Sequence, residues 1–373
     1  MPAGPDLRTA AAVAQSGAIS RLSGLVHQTR LQPVFVVGRR SFIASGAAQA
    51  VRCLFGASAD IFSVSDGLPT VADVARFHDA FKPGSFCIVA IGGGHVIDTA
   101  KILSLGEPDA AILESKIAAK DDLVRRSPLL AVPTTHGSGS EATPFAVVYI
   151  NRIKFSVDHP TLCPDAAVLD PDLILSMPDA DLASSGLDAI AQAIEAVLSV
   201  RGNARTTALA LQSLALSWRA LPDFRRTRSK PQAQQMLTAA HLAGLAIAQT
   251  RTTIPHALSY HLTAYHGLQH GHAVSLSMAN YLERFAKACD DSAFPSCAYW
   301  SGQLAAICAE ISATGSTAKH VWNNYVASLG LPSRLSSISP NFSSHTLAGN
   351  INADRFKNSP LDLTPDQATA LFS

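Results

Sequence analysis

The sequence holds no CxxC pair, no surplus of either charge sign and no apolar run near the roughly 18–20 residues that a bilayer span needs. Each absence removes a class of function. Lysine and arginine number 29 against 28 acidic residues, a net charge of +1, so no basic patch is set up to track nucleic acid and no acidic field to draw a cationic partner. The six cysteines, at positions 53, 87, 163, 289, 297 and 308, are scattered, which reads as reduced thiols rather than a disulfide framework. The N-terminal stretch is Ala-rich, but Asp6, Arg8 and Gln15 interrupt it, and no basic segment leads into an unbroken apolar core. No secretory signal is therefore expected. Internal repeats and long low-complexity linkers are also lacking. A cytoplasmic protein, with no membrane and no nucleic-acid partner, is the expectation.

What is present is length and apolar mass. At 373 residues, 47% hydrophobic and 15% charged, the chain has material for two domains with a large core. The first half alternates strand-like and helix-like segments. Short apolar runs at 33–37, 60–64, 86–91 and 129–132 read as buried strands. Helix-compatible stretches at 41–54 and 70–81 separate the first three. Such alternation predicts βαβ units and a mostly parallel sheet. From about Asp181 the texture becomes Ala/Leu/Ile-rich with helical spacing, at 186–200, 206–221, 232–248 and 302–310. The expected architecture is an α/β domain over 1–178 and an all-helical domain over 179–373.

Two loops carry candidate phosphate chemistry. The run FCIVAIGGGHVIDTAK sets Gly92, Gly93 and Gly94 between a buried strand and a helix. Without Cβ atoms there, backbone N–H groups can approach a phosphate, and the helix N-terminus adds its positive dipole end. A bare tight turn explains a triple glycine equally well, and GxGxxG is not matched. The second loop, Pro133 to Glu141, is dense in hydroxyls and glycines and follows the next strand. Together the two favour a nucleotide at the C-terminal edge of the sheet over an ordinary surface loop.

The helical half carries candidate metal chemistry. Asp188 and Gln192 lie at i and i+4 among apolar neighbours, so they share one helix face. Five of the thirteen histidines, at 256, 261, 266, 270 and 272, fall within seventeen positions. A carboxylate with imidazoles suits iron, zinc and similar ions. Spacing alone does not select among the five.

Joined together, these motifs resemble those of the iron-containing alcohol dehydrogenase family. GGGHVIDTAK is similar to its GGGSxxDxAK signature, VPTTHGSGSEATPFAVV to PTTxGTGSEVT, and DAIAQAIEA to DAxxHAIEA. HALSYHLTAYHGLQHG resembles its HxxxHxxG…HG segment, with the first and last histidines fourteen residues apart, and RFKNSPLDLT resembles its closing NNPRxLT. The resemblance spans roughly residues 33 to 365. It implies a dinucleotide-binding domain, a helical metal domain of dehydroquinate synthase-like fold, a cleft between them, and a homodimer. By position, Gly92, Gly93, Gly94, His95 and Asp98 would hold the pyrophosphate and nearby ribose. Thr134, Thr135, Ser138 and Lys154 would line the rest of the cofactor site. Asp188, His256 and His270 match three ligands of a divalent metal, Fe2+ first and Zn2+ as the alternative.

The departures carry as much information. Gln192 stands where the family has a histidine ligand, and an amide oxygen is a weaker ligand for iron or zinc than imidazole. Tyr260 replaces the second histidine, so proton delivery would pass to Tyr260, His261, His266 or water. Gly38 falls where NAD-preferring members carry an aspartate. With Arg39 and Arg40 beside it, this favours NADPH over NADH, unless the two arginines are simply solvated. Gln192, HPTLCPDAAVLDP and PHALSY resemble a narrower subgroup, the phosphonoacetaldehyde reductases. That resemblance implies reduction of a phosphonate-bearing aldehyde to 2-hydroxyethylphosphonate, with His95, His136 or His159 as candidate partners of the anion. The competing readings are a dehydrogenase for another small aldehyde or alcohol, a non-redox dehydroquinate synthase-like enzyme, and a metal-free binding protein.

Overall fold

Phe86–Gly92 is a strand of seven residues, all of them buried, and the first half of the chain is arranged around it. The structure is a computed structural model and describes residues 11–65, 70–82, 85–119, 123–150, 153–338 and 353–372. It divides into two compact units, Met1–Met177 and Pro178–Ser373.

In the first unit the elements run β1 (Ala11–Ala14), α1 (Leu22–Thr29), β2 (Gln32–Val37), α2 (Arg39–Ala44), α3 (Ala47–Phe55), β3 (Asp60–Ser63), α4 (Ala72–Ala80) and β4 (Phe86–Gly92). They continue with α5 (Gly94–Leu103), α6 (Ala110–Ala119), β5 (Leu129–Pro133), β6 (Phe145–Ile150), β7 (Ile153–Asp158) and β8 (Ala166–Leu169). The main sheet has the order β1-β8-β5-β4-β2-β3, and every pairing in it is parallel. β6 and β7 form a separate antiparallel hairpin.

Period-two alternation splits the sheet between two cores. Val34, Val36, Ile88, Ala90, Leu129 and Ala131 face one side, against Phe77 of α4, Ile97 of α5 and Leu113 of α6. Phe35, Val37, Cys87, Val89, Ile91, Leu130 and Val132 face the other, against Leu22 and Val26 of α1, Phe42 of α2 and Val51 of α3. Burial on both faces is why these strands read as unbroken apolar runs.

The chain order reverses at β2. After β2 the chain moves outward to β3, then returns to place β4 on the opposite side of β2. The turns following β2 and β4 therefore diverge at neighbouring strand ends, where an open α/β sheet leaves its crevice.

The α/β class expected from the sequence is the one observed, and the details differ where local pattern is a poor guide. The helix expected over 41–54 is broken, because Gly46 adopts a left-handed φ of 80° between α2 and α3. β1, β8 and the β6–β7 hairpin had no counterpart among the expected strands. β1 and β8 are only four residues each, Ala-rich, and indistinguishable by composition from helix.

Pro178–Ser373 is helical, with no strand among the described residues. It comprises α7 (Asp179–Val197), α8 (Ala204–Thr227), α9 (Lys230–Thr250), α10 (Ile254–His266), α11 (His270–Asp290), α12 (Cys297–Glu310), α13 (Ala318–Ser328), α14 (Ala353–Lys357) and α15 (Pro365–Thr369). α7 begins seven residues before the expected 186, since Asp179 and Asp181 suit the positive end of a helix though they break the apolar pattern. Its middle is sheathed by α8, α9 and α11. From Leu187 to Val197 every residue is buried, so any polar group on that stretch needs a partner within the protein.

Lys101 in α5 shows what such burial demands. Its ammonium has no solvent exposure and donates to Ser140 Oγ (2.9 Å), Thr143 Oγ1 (3.1 Å) and the Phe145 carbonyl (2.7 Å). Asp98 lies 3.6 Å away and also accepts from Ser140 Oγ and from Val147 N–H. One helical turn thereby ties down both the loop after β5 and the start of β6. Lys101→Met is expected to lower stability by about 3 kcal/mol, because Asp98 loses its cation and three acceptors lose their donor. A shift of the urea midpoint measures this, and a midpoint unchanged from the parent would contradict it.

Candidate metal centre and cofactor cradle

In the first unit the expected cofactor residues converge on the strand ends at the reversal point. Gly38 caps α2, Gly92 ends β4, Gly93 caps α5, and Gly94 is the first residue of that helix. The glycines are required by close approach. A Cβ on Gly92 would come within 2.4 Å of Val96, and one on Gly94 within 2.7 Å of Ser138 Oγ. A Cβ on Gly93 would sit 3.1 Å from Thr135. The two polar loops are thus pressed together, and Thr134 N–H donates to the Gly92 carbonyl at 2.9 Å. No side chain caps α5, so its first N–H groups are directed at this edge.

The other expected cofactor residues divide. His95 is half-buried in the first turn of α5, and Arg39 and Arg40 are exposed at the start of α2. The Asp98 carboxylate is committed to Ser140, Val147 and Lys101, so in this unit it braces the loop. Lys154 lies on β7 opposite Tyr149, and its side chain is outside the described residues. Among the three histidines suggested for an anionic substrate, His136 is wholly buried, and His159 accepts Thr161 N–H at 3.2 Å as a cap.

In the helical unit, Asp188 of α7, His256 of α10 and His270 of α11 each offer a ligand atom, and these atoms lie within 4.8 Å of one another. Asp188 and His256 are buried and His270 is half-buried. Asp188 Oδ1 is 3.1 Å from His256 Nε2, and the two imidazole rings are 5.4 Å apart between centroids. The donor set, one carboxylate and two imidazoles around a shared point, fits a divalent transition ion.

This convergence depends on how closely α11 meets α7. A Cβ at Gly271 would lie 1.9 Å from the Ser184 carbonyl and 2.7 Å from Asp188 N, so only glycine fits beside His270. His272, next in line, presents its backbone N–H to Ser184 Oγ (3.0 Å) and its ring to the Pro332 carbonyl (2.8 Å). Its role is packing.

Gln192 neighbours the cluster, and its Nε2 donates to Asp188 Oδ1 at 3.1 Å. In this arrangement it is a hydrogen-bond donor to a ligand. Tyr260 also belongs to this neighbourhood, its ring nearly parallel to that of His270 at 6.1 Å. Burial raises the Tyr260 pKa, so the phenol keeps its proton. His266 pairs with the His261 ring at 5.5 Å on the exposed end of α10, about 15 Å of helix beyond His256.

Sequence reasoning assigned no role to Glu195. It is wholly buried on the face of α7 that carries Asp188 and Gln192, and it accepts from His256 Nδ1. Its signal was legible: positions 188, 192 and 195 follow i, i+4, i+7. Burial works against the His256 imidazolium, but the charge of Glu195 and the hydrogen bonds to Asp188 and Glu195 outweigh it and lift the pKa to about 9. Burial likewise opposes the Asp188 charge, yet the His256 hydrogen bond and the nearby rings hold its pKa below the ordinary value.

Comparison with known proteins places this geometry in a class of metal-dependent oxidoreductase folds. The iron-containing alcohol dehydrogenase model matches residues 10–171, and the C-terminal model of the same family matches residues 182–339. The chain belongs to the iron-containing alcohol dehydrogenase family. It is 37% identical over 232 residues to the phosphonoacetaldehyde reductase of Streptomyces viridochromogenes, covering 59% of this chain and 58% of that protein. It is 32% identical over 245 residues to the bifunctional aldehyde-alcohol dehydrogenase of Escherichia coli, covering 61% of this chain and 27% of that protein. The matches thus span less than two thirds of either relative's length.

Among solved structures, the sulfoacetaldehyde reductase of Bifidobacterium kashiwanohense, in complex with NAD+, superposes with a TM-score of 0.82 at 23% identity, covering 98% of this chain and 96% of that one. The iron-containing alcohol dehydrogenase of Thermotoga maritima does so with a TM-score of 0.81 at 23% identity, covering 98% and 97%. At these identities the likeness is one of fold.

Two outcomes follow for the helical unit. Gly271→Ala is expected to cost about 3 kcal/mol or more, since the new Cβ meets backbone atoms that cannot swing away, and thermal unfolding measures it. A proton on His256 competes with a metal ion for the site. After removal of divalent metal with a chelator, apparent metal affinity should therefore fall about tenfold per pH unit below about 9. In the chelated protein the raised pKa stabilises the fold fully below 6.5, and that contribution is lost as pH rises through about 9. A metal affinity flat between pH 6 and 9 would contradict the assignment.

Proposed function

We propose that this protein is a nicotinamide-dependent, metal-assisted reductase that converts a small aldehyde to a primary alcohol, with phosphonoacetaldehyde as the substrate and 2-hydroxyethylphosphonate as the product. The observation that carries the reading is the meeting of Asp188, His256 and His270 within 4.8 Å, in a chain of the iron-containing alcohol dehydrogenase family. Fe2+ is the ion proposed, with Zn2+ as the alternative.

Bound by those three residues, such an ion supplies a Lewis acid for the substrate's carbonyl oxygen. The nicotinamide cofactor supplies the hydride. The protein's own groups do the rest. Asp188, His256 and His270 hold the ion in a pocket of largely buried side chains, where charge is little screened. Gly92, Gly93 and Gly94, with Thr134, Thr135 and Ser138, form the cradle for the cofactor's pyrophosphate. Tyr260, half-buried, protonated and stacked near His270, is the group best placed to hold the proton that completes the alcohol. His266 is the less favoured donor because its ring lies against His261 at the exposed helix end.

Support for the phosphonate substrate is the 37% identity to the Streptomyces reductase. Gly38, in place of a carboxylate, and the exposed Arg39 and Arg40 support NADPH over NADH, because a 2′-phosphate meets cations there rather than a like charge.

Asp188→Ala and His256→Ala are expected to lower turnover by at least about a thousandfold, the scale on which charge stabilisation contributes to catalysis, while the circular dichroism spectrum is retained. The assay follows reduced nicotinamide absorbance across aldehydes with and without a phosphonate group, with NADH and NADPH, and with Fe2+ or Zn2+ added. Full activity in either variant after chelation sinks the metal assignment, and equal rates on neutral aldehydes sink the phosphonate one.

A further inference from the structure

Glu195 is the polar residue of α7 that the reading above leaves without a task. It has no solvent exposure, and a buried carboxylate without full hydrogen bonding is costly. Here it is fully engaged, and by one small region. Its Oε1 accepts Thr253 N–H (2.9 Å), Thr253 Oγ1–H (2.9 Å) and His256 N–H (3.3 Å), and its Oε2 accepts from His256 Nδ1. The first turn of α10 begins at this point, and its N-cap residue Thr253 provides no side-chain cap of its own. Glu195 therefore serves α10 as a cap lent by another helix, with its negative charge at the positive end of the dipole.

The same contacts settle the ring of His256. A carboxylate has no proton to give, so His256 Nδ1 carries a hydrogen to Glu195, and Nε2, the atom 3.1 Å from Asp188 Oδ1, is the nitrogen that a metal would claim in exchange for its proton. A line of buried hydroxyls runs behind the carboxylate. Thr253 Oγ1 donates to Glu195 and also lies 3.4 Å from the Tyr281 hydroxyl oxygen. The Tyr281 hydroxyl shares a hydrogen bond with Ser359 Oγ at 3.0 Å, and Ser359 in turn accepts Leu361 N–H at 3.2 Å. The links run unbroken from the carboxylate to Ser359, and such chains polarise cooperatively in a buried setting.

The far end of the chain of hydrogen bonds is firmly held. Asn358 is 2% exposed, its amide donates to the carbonyls of Thr250 (2.7 Å) and Thr252 (3.0 Å), and its oxygen accepts Ser199 Oγ–H (2.9 Å). The segment after α14 is thus bound to the ends of both α7 and α9.

We propose that Glu195 is a positioning residue for His256, fixing the tautomer and angle at which its Nε2 is presented to the metal, and that the closing segment of the chain sets Glu195 through Ser359, Tyr281 and Thr253. This rests on the metal-binding reading of Asp188, His256 and His270 given above. It makes the closing segment a determinant of metal affinity although its residues supply no ligand.

The test uses the full-length protein stripped with a chelator and titrated with Co2+ against a chromogenic competitor, the visible Co2+ spectrum being recorded throughout. Glu195→Gln is expected to bind Co2+ about 10- to 100-fold more weakly, the range seen when such outer partners are lost, and with an altered d–d envelope. Tyr281→Phe and Ser359→Ala, which leave all ligands and Glu195 in place, should each weaken binding about fivefold. Affinity within twofold of the parent and an unchanged spectrum in Glu195→Gln overturns the proposal. If Glu195→Gln does not fold, Tyr281→Phe decides, and parental affinity and spectrum in that variant overturn it. Failure of the unaltered protein to take up Co2+ overturns the metal reading itself, and this proposal with it.

Discussion

A carboxylate with no access to water, placed where a helix begins, is the constraint from which the helical unit's site is built. Glu195 can be buried only because Thr253 and His256 bring four donors to it. Those donors exist only because α10 starts there, exposing the N–H groups that a helix cannot satisfy internally. Capping and ligand orientation are consequently one event. Proline at 255 supports it, since in the first turn of the helix its missing N–H is no loss. Ser359 of the closing segment reaches Thr253 through Tyr281, so a feature more than 150 residues distant from Glu195 in sequence borders its surroundings.

Close backbone approach plays the equivalent part elsewhere. Gly271 lets α11 press onto α7 until His270 meets Asp188, and the Gly92–Gly94 run lets the loop after β5 fold down onto the turn after β4. In both places the missing Cβ has an intramolecular reason that precedes any ligand. The glycine run thus creates an edge lined by backbone N–H groups and hydroxyls as a by-product of packing, which is the surface a pyrophosphate needs. Lys101 and Asp98 hold that edge from behind.

Much of this was legible in order of residues. The strands at 33–37, 60–64, 86–91 and 129–132 announced themselves because they are buried on both faces and carry no polar interruption. β1 and β8 did not, since Ala-rich segments of four residues lack both the length and the β-branched side chains that mark a strand. The hairpin of β6 and β7 follows the segment read for its loop chemistry, Pro133 to Glu141, and was not read as strand. Helix 41–54 was read as continuous because one glycine costs little in a periodic pattern, yet Gly46 uses its freedom to turn the chain. For the site, motif likeness picked out Asp188, His256 and His270, and the structure brings these three together.

By itself the sequence determined the fold class and the types of donor available. Both are local matters: periodicity of two or 3.6, glycines at strand ends, and a carboxylate and imidazoles on helices. The tertiary structure decided which of five clustered histidines meet Asp188, that Gln192 turns its amide toward a ligand, and that Asp98 braces a loop. It also decided that Glu195 governs His256. The meetings of Asp188 with His256 and His270, and of Glu195 with His256, cross helices between residues some 60 to 80 positions apart. Spacing along one helix says which face a side chain shares, and only the packing of that face against another says what it touches.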